Sequence, residues 1–161
     1  MKRMKGLVAA AIVGAGVLVG SPALAENTCS RSQRVEFETP GFDTVLRVRI
    51  CIAHGSPTRG AYAHVDWIDG GDSVEDGDRK FDALDIHYQL QAYGIAVAGG
   101  ACGLAERVNR TESGTFTCPM ATFKSGRRGG WSADGYIAYN LDRDGAGVMR
   151  TELEGSPAVS T

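Results

Sequence analysis

His64-x-Asp66 and Asp85-x-His87 each pair an imidazole with a carboxylate two residues away. Along an extended strand, residues two apart share a face, so each pair projects both groups to one side. Neighbouring strands would bring the four groups together, and two imidazoles with two carboxylates suit Zn²⁺ or a similar ion. The same residues also decorate the wet faces of antiparallel strands, where opposite charges contribute about 0.2–1 kcal/mol per pair. On the first reading the chain is a metal-assisted hydrolase; on the second the residues are solvated surface.

Oxygen-rich stretches offer a second chemistry. Between Asp66 and Asp85 lie Asp69, Asp72, Glu75, Asp76, Asp78 and Asp82, and extracellular modules bind Ca²⁺ through such carboxylates. The glycines Gly70, Gly71 and Gly77 raise the cost of ordering a cage there. Asn140-Leu141-Asp142-Arg143-Asp144-Gly145 begins like a helix-loop-helix calcium loop, with Asn140, Asp142 and Asp144 as ligands. Counted from Asn140, however, the bidentate glutamate position is Thr151, and Glu152 misses by one. The flanks alternate like strands, so Asp144-Gly145 reads better as a hairpin turn. Ca²⁺ and Zn²⁺ are the only cofactors these patterns suggest, and no residue is assigned a catalytic or organic-cofactor role.

Nucleophilic catalysis finds little support, since the chain has no G-x-S-x-G elbow and no S-x-x-K. The Lys124–Arg128 loop is a small basic patch that reads as an ordinary solvated turn. Asn109-Arg110-Thr111 matches a glycosylation sequon, which predicts exposure.

The elements that must position these groups begin after an export signal. Lys2, Arg3 and Lys5 precede an apolar run of 15 residues, Gly6 to Gly20, and then Ala23-Leu24-Ala25. This is the charged head, apolar segment and A-x-A site of a secretory signal peptide over 1–25. The run falls short of the roughly 20 residues that cross a bilayer, so no membrane association is expected once the signal is removed. The remaining 136 residues suit one core, a single domain over 26–154 followed by a tail at 155–161. Without Lys2, Arg3 and Lys5, 14 basic residues face 19 acidic ones, a net charge of −5 that argues against nucleic acid. Four cysteines, Cys29, Cys51, Cys102 and Cys118, with no C-x-x-C pair, fit two disulfides in an oxidising compartment.

Apolar residues in the mature chain alternate in short runs separated by Gly, Asp, Pro and Ser. Leu46, Val48, Ile50 and Ile52 share a face, as do Ala61, Ala63, Val65 and Trp67, and Leu84, Ile86, Tyr88 and Leu90. Shorter runs surround Val35-x-Phe37, Gly94–Gly100, Phe116-x-Cys118, Trp131–Tyr139 and Val148–Leu153, and Ala101–Arg110 carries the one helical turn. About eight short strands predict an all-β, antiparallel two-sheet sandwich or small Greek-key barrel.

Cys51, Trp67 and the run Glu112-Ser113-Gly114-Thr115-Phe116-Thr117-Cys118 resemble the immunoglobulin variable-type pattern, with its cysteines 67 residues apart. That resemblance implies a Cys51–Cys118 bridge through the core. Cys51 is in phase with Arg47 and Arg49, which favours pairing by sequence neighbourhood instead, Cys29 to Cys51 and Cys102 to Cys118. More broadly, Gly41-Phe42-Asp43-Thr44, Tyr62-Ala63-x-Val65 and Trp131-x-Ala133-Asp134-Gly135 through Gly155-Ser156-Pro157 resemble small exported β-proteins of actinomycetes with no assigned activity. This likeness implies location and fold, and brings no catalytic residues.

The sequence thus predicts a secreted, extracellular, non-enzymatic binding module for a protein or glycan, using loops at the sheet ends and the outer strand faces. The rivals are the metal-assisted hydrolase and a secreted protease inhibitor presenting the loop between Cys102 and Cys118.

Overall fold

A computed structural model describes residues 26–55, 57–71 and 78–160. Residues 1–25, read from the sequence as an export signal, the acidic residues Asp72, Glu75 and Asp76, and Thr161 lie outside the described residues.

Alternation in the sequence becomes two antiparallel sheets packed face to face. In the first, β3 (Thr44–His54) pairs with β4 (Thr58–Ile68), and two edges are each built from a pair of short strands laid end to end. Along β3 run β1 (Glu26–Cys29) and β2 (Gln33–Phe37), while β7 (Gly114–Thr117) and β8 (Ala121–Lys124) run along β4. The second sheet has the order β10 (Met149–Leu153), β9 (Trp131–Leu141), β5 (Phe81–Ala92) and β6 (Ile95–Gly103). The ten strands therefore form eight rows, four per sheet. A six-residue helix, α1 (Ala105–Arg110), follows β6, so residues 101–103, expected to begin the helical turn, complete the strand instead.

Each of the three clear runs turns its apolar face inward. Leu46, Val48, Ile50 and Ile52 of β3 and Ala61, Ala63 and Val65 of β4 are fully buried against Leu84, Ile86 and Leu90 of β5 and Trp131, Ala133 and Ile137 of β9. Burying a Leu, Ile or Val side chain contributes about 1.5–3 kcal/mol each, so this interior is the main source of stability. Between β5 and β6 the chain turns through Tyr93 and Gly94, at φ 52° and 77°. Positive φ at both central residues is what a two-residue hairpin of matching twist requires, and glycine reaches it without penalty.

Both disulfides follow sequence neighbourhood, Cys29–Cys51 and Cys102–Cys118. Cys29 and Cys51 sit directly opposite each other in the β1–β3 ladder, with Cα atoms 4.0 Å apart. Cys102 lies in β6 and Cys118 just beyond β7, so that bridge joins the two sheets along one margin. Beside it, the buried Tyr88 hydroxyl donates to the Pro119 carbonyl.

Polar groups fix the crossovers. Lys80 is fully buried ahead of β5, its Nζ donating to the Pro40 and Phe42 carbonyls at 2.6 and 2.9 Å. Asn109 of α1 is half-buried rather than exposed as its sequon predicts. Its Oδ1 accepts from the Lys80 and Phe81 N–H groups, both at 2.9 Å, and its Nδ2 donates to the Phe81 carbonyl at 2.8 Å. The unpatterned segment after 154 is packed as well. Val159 exchanges backbone hydrogen bonds with Trp131, and Ser156 does the same work for Ala133 through its N–H and hydroxyl.

Candidate functional site

The chain passes from the first sheet to the second between Ile68 and Phe81. Consequently β4 and β5 are not hydrogen-bonded neighbours. With Ala63, Val65 and Trp67 facing Leu84, Ile86 and Tyr88 in the core, the polar residues between them point away on opposite sides of the sandwich. His64 and Asp66 lie on the outer face of the first sheet, and Asp85 and His87 on the outer face of the second. The four-residue metal set is therefore not assembled, because the adjacency it needs is between strands of different layers. Among the described residues no group of three or more His, Cys, Asp or Glu side chains is placed to hold a metal ion.

Each half of the set has local partners instead. His64 Nδ1 lies 2.9 Å from Thr117 Oγ1, and its Nε2 is 3.5 Å from Asp66 Oδ1. Asn140, Asp142 and Asp144 surround the hairpin loop joining β9 to β10. Asp142 contacts Arg143 Nε at 3.3 Å and Arg79 Nε at 3.6 Å. Asp144 Oδ1 accepts the Ala146 N–H at 2.8 Å, and Arg143, Gly145 and Gly147 take positive φ. These carboxylates shape a turn and pair with arginines, as the hairpin reading expects. The loop between Cys102 and Cys118 is built into the domain, with Val108 of α1 buried and β7 paired to β4.

The second sheet's outer face carries a different feature. A trough of about 500 Å³ crosses all four of its strands. From β9 comes Tyr136, directly opposite His87 of β5 in the ladder. The two rings are parallel, centroids 4.5 Å apart and planes 7° from coincidence. Arg150 of β10 places its guanidinium 3.6 Å from the Tyr136 ring centroid. That guanidinium also binds Glu152, with Nε 2.5 Å from Oε1, and this hydrogen bond, outweighing a smaller opposing effect of desolvation, raises its pKa above the ordinary value. The result is a row of three flat groups, Arg150, Tyr136 and His87, running toward β6.

Asp134 and Gln89 are the next register pair along the trough. Asp134 is itself oriented by the Gly135 N–H at 2.8 Å and by Gln91 Nε2 at 3.5 Å. On the β6 side the row ends: the residue opposite His87 is Ala101, and the one opposite Gln89 is Gly99. The trough thus has a polar, planar wall and a bare floor. Its lining holds no Ser, Thr or Cys that would serve as a nucleophile. What it offers is a set of preoriented hydrogen-bond groups beside open, flat surface.

Of the sequence-derived candidates, only His87 lies in this trough. Tyr136, Asp134, Arg150 and Glu152 escape a search for metal ligands and nucleophiles. One signal is present in the chain: alternation about Ala133 and Ile137 puts Tyr136 outward in phase with Asp134, an aromatic on a wet face. No protein-family model, curated protein or solved structure matches the chain.

Proposed function

We propose that the protein is a secreted, non-enzymatic binding module that engages an extracellular partner through the outer face of its second sheet. The observation that carries this reading is the Arg150–Tyr136–His87 row, which holds polar groups in fixed orientation beside an open floor. Preorganised side chains lose little entropy when a ligand arrives, and placement on strands makes the geometry rigid. Two disulfides fit an oxidising, extracellular-type compartment. Among the described residues no helix is long and apolar enough to cross a membrane. The charged start, apolar run and A-x-A site at 1–25 support export.

The test uses the full chain expressed with export, so that both bridges form. Its binding to immobilised envelope and culture-supernatant fractions is compared with that of Gly99→Arg, which plants a long side chain on the floor. Saturable binding lost in Gly99→Arg supports the reading. Binding that is absent, or that survives this change undiminished, removes it.

A further inference from the structure

One end of the sandwich carries no Asp or Glu, although the chain as a whole is acidic. It is built from the β3–β4 hairpin, the β5–β6 hairpin and the loop after β8, and residues 54–60, 92–98 and 122–132 hold none of the 19 acidic residues. The loop presents Lys124, Arg127 and Arg128, all exposed. None of the three has a carboxylate partner among the described residues. By register Glu26, opposite His54, stands three strands from β8, about 14 Å, and Asp134 lies about 10 Å along β9 from Trp131. Both distances exceed the roughly 8 Å over which exposed charges interact at physiological salt. The loop itself is firmly held. The Ser125 N–H donates to the Pro57 carbonyl at 2.9 Å, Ser125 Oγ accepts the Arg127 N–H at 3.1 Å, and Trp131 Nε1 donates to the Arg127 carbonyl at 3.2 Å. A run that reads in sequence as an ordinary solvated turn therefore concentrates positive charge at a fixed place.

Apolar side chains stand beside these cations. Tyr93 and Ile95, at the β5–β6 turn, are 65% and 71% exposed, and Phe123 of β8 is 39% exposed. The Tyr93 N–H donates to the Gly130 carbonyl at 2.6 Å, and a Cβ on Gly130 would strike the Tyr93 ring at 2.4 Å, so hairpin and loop share one surface. Phe123 leans toward Trp131, ring centroids 6.3 Å apart. At φ 52° Tyr93 takes the first central position of the turn, where Asn, Asp or Gly is preferred and a bulky residue is an outlier. Neither local conformation nor core packing accounts for an aromatic at this tip, and backbone strain of this kind clusters at functional sites. Cations with exposed apolar tips match the boundary of an anionic bilayer, where phosphates meet Lys and Arg while apolar groups enter the headgroup layer. Tyrosine, apolar in body and polar at its end, suits that boundary. A soluble polyanion would satisfy the cations and leave Tyr93 and Ile95 in water. A protein epitope is centred on a buried apolar patch with charge at its rim, whereas here the apolar groups sit at hairpin and strand ends with cations among them.

We propose that this end of the sandwich docks on an anionic lipid surface, Tyr93 and Ile95 entering the headgroup boundary while Lys124, Arg127 and Arg128 meet lipid phosphates. The surface shares no residue with the trough on the second sheet. The exported, disulfide-bonded chain is mixed with vesicles of phosphatidylcholine alone or of phosphatidylcholine with phosphatidylglycerol, and bound protein is read by flotation. Binding is expected only to the mixed vesicles, and falls as salt rises. Arg127→Gln with Arg128→Gln should weaken it about tenfold or more. Tyr93→Asn with Ile95→Thr should do the same, and these residues keep the left-handed turn and the strand intact. Arg143→Gln with Val148→Thr makes like changes at exposed positions of the β9–β10 loop, about 33 Å from Trp131 along β9, and should leave binding unchanged. Absence of binding to the mixed vesicles overturns the proposal, as does binding undiminished in both test pairs, or an equal loss in the distant pair. Binding that needs only one of the two test pairs also overturns the lipid assignment. Dependence on the arginines alone marks a contact with charge, as a soluble polyanion or acidic protein would make, and dependence on Tyr93 and Ile95 alone marks an uncharged partner.

Discussion

The imidazole of His87 lies flat against the ring of Tyr136, a contact made across the β5–β9 ladder by residues directly opposite each other. Register and side-chain geometry thus reinforce one another at the centre of the second sheet. A one-residue slip of β9 would turn Tyr136 into the core and bring the inward residues out. The stack therefore helps define the alignment that sets Asp134 beside Gln89.

Replacing Tyr136 with Ala removes both the ring contact with His87 and the support under Arg150. Aromatic pairs contribute about 0.5–1.5 kcal/mol beyond area, and an exposed cation–π contact about 0.5–1 kcal/mol. Tyr136→Ala is expected to lower stability by about 1–2 kcal/mol in urea unfolding, and Tyr136→Phe by much less. Equal losses in the two variants would show that the hydroxyl, not the ring, matters at this position.

Asn109 joins α1 to the start of β5 through three hydrogen bonds to the backbone of Lys80 and Phe81. Asn109→Ala strands the Lys80 and Phe81 N–H donors, while the Phe81 carbonyl keeps the Arg79 Nε–H at 3.2 Å, and an unsatisfied buried group costs about 1–3 kcal/mol. Asn109→Asp keeps the acceptor but sets a carboxylate against the Phe81 carbonyl. Both variants should melt at lower temperature than wild type, with amide exchange accelerated first at Lys80, Phe81 and α1. An unchanged melt in Asn109→Ala would mean that solvent replaces these bonds at no cost.

The layers of this fold are legible in the chain because period-two alternation survives wherever a strand is long and half-buried, as in Leu46–Ile52 and Leu84–Leu90. Four-residue strands such as Glu26–Cys29 and Ala121–Lys124 are too short to show a period. Neighbourhood is the information that alternation lacks. His64 and His87 have the same local pattern, and only the crossover after Ile68 decides that they face opposite ways. The trough was hidden for the same reason, since His87 comes from β5 while Tyr136 and Arg150 come from the much later β9–β10 hairpin. Asn109 departs from its sequon reading because its amide satisfies backbone groups at a crossover, a demand set by tertiary structure alone.

The disulfides have similar loop lengths, 22 and 16 residues of separation. In the chain-entropy model each contributes about 3 kcal/mol, and the two differ by only about 0.3 kcal/mol. Their positions differ far more. Cys29–Cys51 reinforces a ladder that hydrogen bonds already close, while Cys102–Cys118 spans the two sheets. Paired Cys→Ala variants should therefore lose comparable global stability but show distinct local opening. Hydrogen exchange is expected to rise around β1 in the first variant and around β6 and β7 in the second. Indistinguishable exchange maps would contradict this separation.

Tyr88 supplies a pH dependence whose sign follows from its burial. Only 4% of the residue is exposed, and desolvation raises its pKa above the usual 10.0. Below about pH 10 the phenol is protonated in both folded and unfolded chains, and its contribution to stability is fully present. As pH rises through the unfolded value, the unfolded chain releases the proton while the folded one retains it. Stability then falls by up to about 1.4 kcal/mol per pH unit for this group, until the folded phenol also ionises. Tyr88→Phe removes that titration and also the bond to the Pro119 carbonyl. The lost bond lowers stability by about 1 kcal/mol at every pH, an offset, whereas the lost titration flattens the alkaline slope. Urea unfolding measured from about pH 8 to about 11 separates the two effects. A Tyr88→Phe curve that runs parallel to wild type throughout this range would show that Tyr88 ionises equally well in the folded protein, and that its burial has no effect on the proton.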